Sequence, residues 1–155
     1  MMTKWFLGYS NWKTISLLLL LVIFSCAENK KMESYPYQKD FQEYLKAIGA
    51  EIVTDEVILL PLDSCSLCVD QVLADLEYTK KVISVILSGN QVSNERLEKV
   101  KKLVKNENLK IHTDEGSKSK SYDLNAFSPI LINTSKDNFS YVSISPQNSA
   151  AYLLE

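Results

Sequence analysis

The run Val57-Ile58-Leu59-Leu60-Pro61-Leu62 is aliphatic at five of its six positions and stops at Asp63-Ser64-Cys65-Ser66-Leu67-Cys68. A run so short and so continuously apolar reads as a strand buried on both faces. Beyond it Val69, Val72, Leu73 and Leu76 recur at helical spacing, with Asp70, Gln71, Asp75 and Glu77 on the opposite side. That spacing predicts an amphipathic helix from Cys65 to about Tyr78, capped by Asp63 or Ser64. The strand then delivers Cys65 to a helix N-terminus, where unpaired backbone N–H groups and the helix dipole favour a thiolate over a thiol. Cys68, one turn later, is placed to resolve a mixed disulfide formed by Cys65.

The flanking chain repeats the alternation. Phe41, Tyr44, Leu45 and Ile48 fall on one helical face, with Gly49 as the stop. Lys81 to Leu87 is rich in β-branched residues and closes at Ser88-Gly89-Asn90, a second strand and a turn. Ser93 caps a further helix with Leu97, Val100, Leu103 and Val104 inward, and Val92 and Leu97 form a hydrophobic staple. Leu109 to Thr113 supplies a third strand, and Asp114 to Asp123 reads as a polar loop. Pro129 stands directly before the apolar strand Ile130-Leu131-Ile132-Asn133, whose antiparallel partner is Phe139 to Ile144 across the turn 134–138. A proline cannot donate to a central ladder, so it marks the strand's first residue or an edge. Ala150 to Leu154 starts a short final helix. Strand, helix, strand, helix, strand and then a hairpin predict an α/β domain, a central mixed sheet flanked by helices. At 155 residues and 46% hydrophobic the chain suits one such domain with a sizeable core.

The beginning of the chain bears on compartment. Positively charged Lys4 and Lys13 precede the apolar stretch Ile15 to Phe24, centred on Leu17 to Leu21. This has the form of a signal-peptide core and is too short to span a bilayer as a helix. It ends in Ile23-Phe24-Ser25-Cys26, which resembles the lipobox of bacterial lipoproteins, with Phe24 bulkier than the residue usual there. The resemblance implies a signal peptide over 1–25, lipidation at Cys26 and a tether over 26–38, leaving the globular domain at 39–155. Localisation follows as the cell envelope, lipid-anchored on the extracytoplasmic side. Ala27 after Cys26 points to the outer membrane where the organism has one. A leader cut elsewhere would leave Cys26 an ordinary thiol. Of three cysteines an exported protein leaves one unpaired. A lipid on Cys26 accounts for it, and export puts Cys65 and Cys68 where a disulfide can persist.

Two function classes are disfavoured. Of the 17 lysines and arginines two lie in the leader, leaving 15 against 19 acids and a net of −4, which argues against nucleic acid as a partner. Lys101, Lys102, Lys105 and Lys110 are interleaved with acids and read as a solvated helix face. A closed zinc site wants four ligands, and after Cys65, Cys68 and the single histidine, His112, the mature chain offers no further cysteine or histidine. His112 therefore reads as a strand residue without a metal role, and no cofactor is expected.

Taken together, Cys65-Ser66-Leu67-Cys68 after an apolar strand and Ser128-Pro129 before a second one resemble the thioredoxin-like superfamily, in particular the membrane-anchored, TlpA-type thiol-disulfide oxidoreductases of bacteria. The resemblance covers about Val57 to Ile144. It implies a thioredoxin-like fold, Cys65 as nucleophile, Cys68 as resolving thiol, Pro129 as a cis-proline beside them and Ser128 as a backbone contact for an extended substrate. The implied partners are exported protein thiols and disulfides and a membrane electron donor. This chain departs from the pattern in having Ser64 where an aromatic residue is usual, and Ser66-Leu67 lacks the proline or histidine that tunes related pairs. Asp63 and Asp70 are close in sequence, and a carboxylate near a thiol raises its pKa, which predicts a reductase-like or middling potential. Two other readings stay open at this level. One is a lipid-anchored binding or assembly module in which the cysteine pair is a fixed structural disulfide. The other is copper handling by Cys65, Cys68 and His112.

Overall fold

The computed structural model describes residues 31–155. The leader and Cys26 lie outside the described residues. Six strands form one mixed sheet in the order β1-β6-β5-β2-β3-β4. The strands are β1 (Glu33–Ser34), β2 (Glu56–Pro61), β3 (Ile83–Ser88), β4 (Leu109–Thr113), β5 (Ile130–Asn133) and β6 (Ser140–Ser143). The helices are α1 (Gln38–Ile48), α2 (Ser66–Tyr78), α3 (Asn94–Leu103) and α4 (Ser149–Leu153), with a 3₁₀ turn at Lys118–Ser121. β2, β3 and β4 run parallel, whereas β5 is antiparallel to β2 and to β6, and β6 to β1. The α/β class, the mixed sheet and its flanking helices are as the alternation of elements predicts.

Strand β2 is apolar throughout because the sheet is covered on both sides. Ile58 and Leu60 point into a cluster with Val69, Val72, Leu73 and Leu76 of α2, Leu103 of α3 and Leu153 of α4. Val57 and Leu59 point the other way, toward Phe41 and Tyr44 of α1, Tyr35 and Leu124. Alternate residues of one strand thus serve two cores, and a polar residue at any of these positions would leave an unsatisfied group inside.

Local sequence explains most boundaries. Gly49 ends α1 in the left-handed region at φ 67°, its N–H and that of Ala50 returning to Lys46 and Leu45 carbonyls. The Ser93 hydroxyl accepts from the Arg96 N–H, as a helix cap should. At the far end of α2, Asn106 Nδ2 donates to the carbonyls of Leu76 and Thr79, 3.1 Å each, satisfying groups that the helix itself cannot.

Three expectations are corrected. Residues 33–38, expected in a tether, belong to the fold: Glu33 and Ser34 pair with β6, and Tyr35 is buried with its hydroxyl donating to the Leu124 carbonyl at 2.8 Å. The apolar surface of the α1 face is incomplete without that ring. Leu97 and Val104, expected inward on α3, are 41% and 69% exposed. The inward stripe runs instead through Arg96, Val100 and Leu103, because the Arg96 guanidinium has partners on the α2 side. Finally, neither Asp63 nor Ser64 caps α2: Cys65 itself is the N-cap residue and no side chain bonds there.

Candidate dithiol site

The turn 62–64 between β2 and α2 carries the site. Leu62 N–H donates to the Ser88 carbonyl at 2.7 Å, so the chain leaves β2 still attached to the end of β3. Ser64 N–H returns to the Pro61 carbonyl at 3.1 Å. The Asp63 carboxylate accepts from the Asn90 N–H at 3.2 Å rather than serving the helix. Gly89, at φ 116°, packs so closely here that a Cβ would lie 2.7 Å from Asp63 Oδ1 and 3.0 Å from Asp63 N. A side chain at position 89 is excluded by both the backbone angle and the space.

Cys65 emerges from this turn exposed, and Cys68 is partly covered; both are free thiols. Their Sγ atoms are 2.8 Å apart, Cys68 donating to Cys65. The two thiols are pushed in opposite directions. Cys65 is made more acidic chiefly by the Cys68 S–H, with the N–H groups of Cys68 and Leu67 and the charge of Arg96 adding to it. Cys68 is made less acidic by donating to Cys65, by burial and by the charge that Cys65 acquires. A lowered pKa favours the thiolate, the nucleophilic form, at Cys65, and a raised one keeps Cys68 protonated.

The expectation that Asp63 and Asp70 would raise the pKa of Cys65 is therefore corrected. Asp63 is occupied by Asn90, and Asp70 is neutralised by Arg96 Nε at 3.4 Å and Lys99 Nζ at 3.1 Å. The net local charge that reaches Cys65 is that of Arg96, which lowers its pKa.

Ser128 and Pro129 reach the same end of the sheet. The β2–β5 ladder pairs Leu59 with Ile130, and continuing that antiparallel register brings Ser128 level with Pro61, from which the turn to Cys65 departs. Pro129 is buried and its carbonyl accepts from Ile144 N–H at 2.8 Å. The bond between Ser128 and Pro129 is trans, as are all peptide bonds of the described residues, where the resemblance implies cis. An X–Pro bond keeps its ordinary trans preference unless the surrounding fold imposes the cis form. Beside the turn lies a cleft of about 360 Å³, between Pro61, Asp63 and Gly89 on one side and Lys120, Tyr122 and Phe127 on the other. It opens at the carboxyl ends of β2 and β3, where open α/β sheets present their ligand sites. Leu67 is 74% exposed and Phe127 is 86% exposed.

His112 lies on edge strand β4, in register with Ile86 of β3, and does not join the cysteines. Among the described residues no three histidine, cysteine or carboxylate side chains stand together as metal ligands. The three-ligand copper site of Cys65, Cys68 and His112 is thus not assembled.

Reading the sequence alone passes over Arg96. The available signal is its singularity, as it is the only arginine among 17 basic residues. Arginine presents a planar, multidentate cation where lysine presents a point charge. Phe127 is signalled more weakly, by an aromatic side chain beside Ser128-Pro129.

No family model, no curated protein and no solved structure matches this chain.

Proposed function

We propose that the protein is a thiol-disulfide oxidoreductase of the cell envelope, thioredoxin-like in fold, lipid-anchored through Cys26 and acting on disulfides of exported proteins. The observation that carries the reading is the pair of free thiols at the head of α2, the exposed one made acidic and the partly covered one made less so. The order of elements supports it: a strand leads to the C-x-x-C helix, and a later antiparallel hairpin begins at Ser128-Pro129.

The chemistry is a two-step exchange. The Cys65 thiolate attacks one sulfur of a substrate disulfide, forming a mixed disulfide and releasing the other substrate sulfur as a thiolate, which takes a proton from solvent. Cys68 then loses its proton and attacks Cys65 Sγ, closing the intramolecular disulfide and expelling the second substrate thiolate. The substrate gains two electrons and the Cys65–Cys68 pair loses two. A dithiol donor at the membrane reverses the second change and resets the enzyme. The sulfur atoms of the two thiols and of the substrate disulfide suffice for every step, so the mechanism uses no cofactor.

The test is catalysed reduction of a model protein disulfide, such as insulin, with dithiothreitol as donor. The full-length protein is expected to accelerate it, Cys65→Ser to abolish the acceleration, and Cys68→Ser to accumulate a mixed disulfide at Cys65. A pair whose potential lies below about −300 mV, with no acceleration, would instead identify a structural bridge in a binding module.

A further inference from the structure

Arg96 occupies a place that its sequence neighbourhood assigns to a leucine. Its side chain is only 12% exposed, on the inward stripe of α3 that Leu97 leaves vacant. A guanidinium is costly to withdraw from water unless its donors are matched. Two of its five are: Nη1 donates to the Leu62 carbonyl and Nε reaches Asp70 Oδ1 at 3.4 Å. Leu62 begins the turn that ends at Cys65, and Asp70 sits on α2 just beyond Cys68. One side chain from a third element thus grips the chain on both sides of the dithiol. The exposed pair Lys101–Glu98 on the same helix, with both side chains about seven-tenths exposed, is a different object, a solvated contact of small consequence.

The peptide at Leu62 is fixed at both ends. Its N–H is bound by Ser88 of β3 and its carbonyl by Arg96. Together with the Asp63–Asn90 bond, this defines where the chain must turn before the first residue of α2. Asp70 is shared between Arg96 and Lys99, and Lys99 is also held by Glu95 at 3.0 Å. The charged or titratable groups around Cys65 are therefore Arg96, Lys99 and Glu95 from α3, Cys68 and Asp70 from α2, and Asp63 from the turn. Lys120 and Asp123 lie across the cleft.

We propose that Arg96 is the positioning residue of the dithiol, holding the Leu62 carbonyl and the Asp70 carboxylate at once so that Cys65 is fixed at the head of α2 beside a cation and shielded from a carboxylate. It touches neither a substrate nor a reacting sulfur and acts through the turn and through the local charge. The assignment rests on Cys65 being the attacking thiol.

The experiment is the pH profile of Cys65 alkylation by iodoacetamide in the reduced, detergent-solubilised full-length protein, read by mass spectrometry of the Cys65 peptide. Arg96→Gln is expected to slow alkylation at pH 7 by about three- to tenfold and to move the midpoint of the profile to higher pH, as loss of a neighbouring cation requires. Arg96→Lys keeps the charge but cannot span both partners and is expected to fall between the two. Asp70→Asn is expected to alkylate at least as fast as the unaltered protein. An Arg96→Gln profile superimposed on that of the unaltered protein would overturn the assignment. So would Asp70→Asn slowing alkylation as much as Arg96→Gln, which would make the contact a mere strut. Arg96→Lys equal to the unaltered protein would overturn the part played by the second hydrogen bond. Thermal unfolding identifies a variant that fails to fold, and Arg96→Lys and Asp70→Asn then decide the matter. Alkylation requires no disulfide substrate, so a protein that reduces no insulin leaves this result standing. Turnover with an unchanged Arg96→Gln profile removes only the role of Arg96.

Discussion

The two faces of the sheet are built by different means. The face under α2, α3 and α4 is aliphatic, a cluster of valine, leucine and isoleucine drawn from regular elements except for Leu62 and Ile144, which lie just past strand ends. The face under α1 is aromatic, with Tyr35 against Phe41 at 5.9 Å and Tyr141 at 5.3 Å, Phe41 against Phe139 at 6.5 Å, and Tyr44 against Tyr122 at 5.8 Å between ring centroids. Several of these rings come from irregular chain, residues 35–37 and 122–126 among them. The aliphatic face carries the dithiol helix. The aromatic face gathers the loop that returns from β4 to β5 and the segment that precedes α1. It also holds buried polar groups: the phenols of Tyr35 and Tyr44 are pushed to higher pKa mainly by burial, and the Asp114 carboxylate accepts from the N–H groups of Lys118 and Ser119 at 2.8 and 2.9 Å. Aliphatic packing needs only volume, whereas rings with hydroxyls need partners as well, so this face is the more easily unsettled by small changes.

The largest effect expected of a single substitution is at Phe41. It is fully buried at the centre of the aromatic face, and Phe41→Ala should cost about 3–5 kcal/mol by the loss of burial and the cavity left behind. Leu73→Ala on the aliphatic face should cost about 2–5 kcal/mol by the same argument. Urea unfolding of both variants tests whether the two layers are comparable halves of one cooperative core. A cost for Phe41→Ala below about 1 kcal/mol would show that the aromatic face is an appendage.

The same contrast decides what could be read beforehand. Regular elements announce themselves by period. The apolar run of β2, the spacing of Val69, Val72, Leu73 and Leu76, and the β-branched residues of β3 mark the aliphatic layer and hence the location of Cys65. In the aromatic layer Phe41 and Tyr44 keep the helical period of α1, but Tyr35 and Tyr122 lie in irregular chain and carry no periodic signal. Arg96 was hidden for a related reason. Periodicity assigns the inward face of a helix by hydrophobicity and so turns Leu97 inward, whereas the structure exposes Leu97 and covers Arg96. The trans bond at Pro129 likewise depends on how the loop enters β5, which the residue pair Ser128-Pro129 does not encode.

A smaller effect sharpens the boundary of the aromatic face. Tyr35→Phe keeps the ring and removes only the hydroxyl that donates to Leu124 O. The expected cost is about 1–2 kcal/mol, because the buried carbonyl loses its partner. Hydrogen exchange should rise together in residues 33–37 and 122–126, two stretches joined by this bond. Were residues 33–38 a tether outside the core, the substitution would change neither stability nor exchange at Leu124.

The smallest effect concerns His112, whose register with Ile86 places it on the aromatic side of β4. Its Nε2 is buried without a hydrogen-bond partner, and burial lowers its pKa below the ordinary value. The unfolded chain therefore takes up the proton more readily than the fold does. Above about pH 6.5 both states are neutral at this residue and it leaves stability unchanged. As pH falls below that value the unfolded state is favoured, and the loss levels off once the pH is below the folded pKa. Because the residue is only partly buried, water screens the penalty and the loss is small. Carboxylates titrate over part of the same range, so the quantity to measure is the difference in urea midpoint between the unaltered protein and His112→Gln. That difference should be flat from pH 8 to about 6.5 and then move in favour of the glutamine variant. A difference moving the other way would mean that protonated His112 has a partner in the fold, and the aromatic face would then be able to hold a cation as well as phenols.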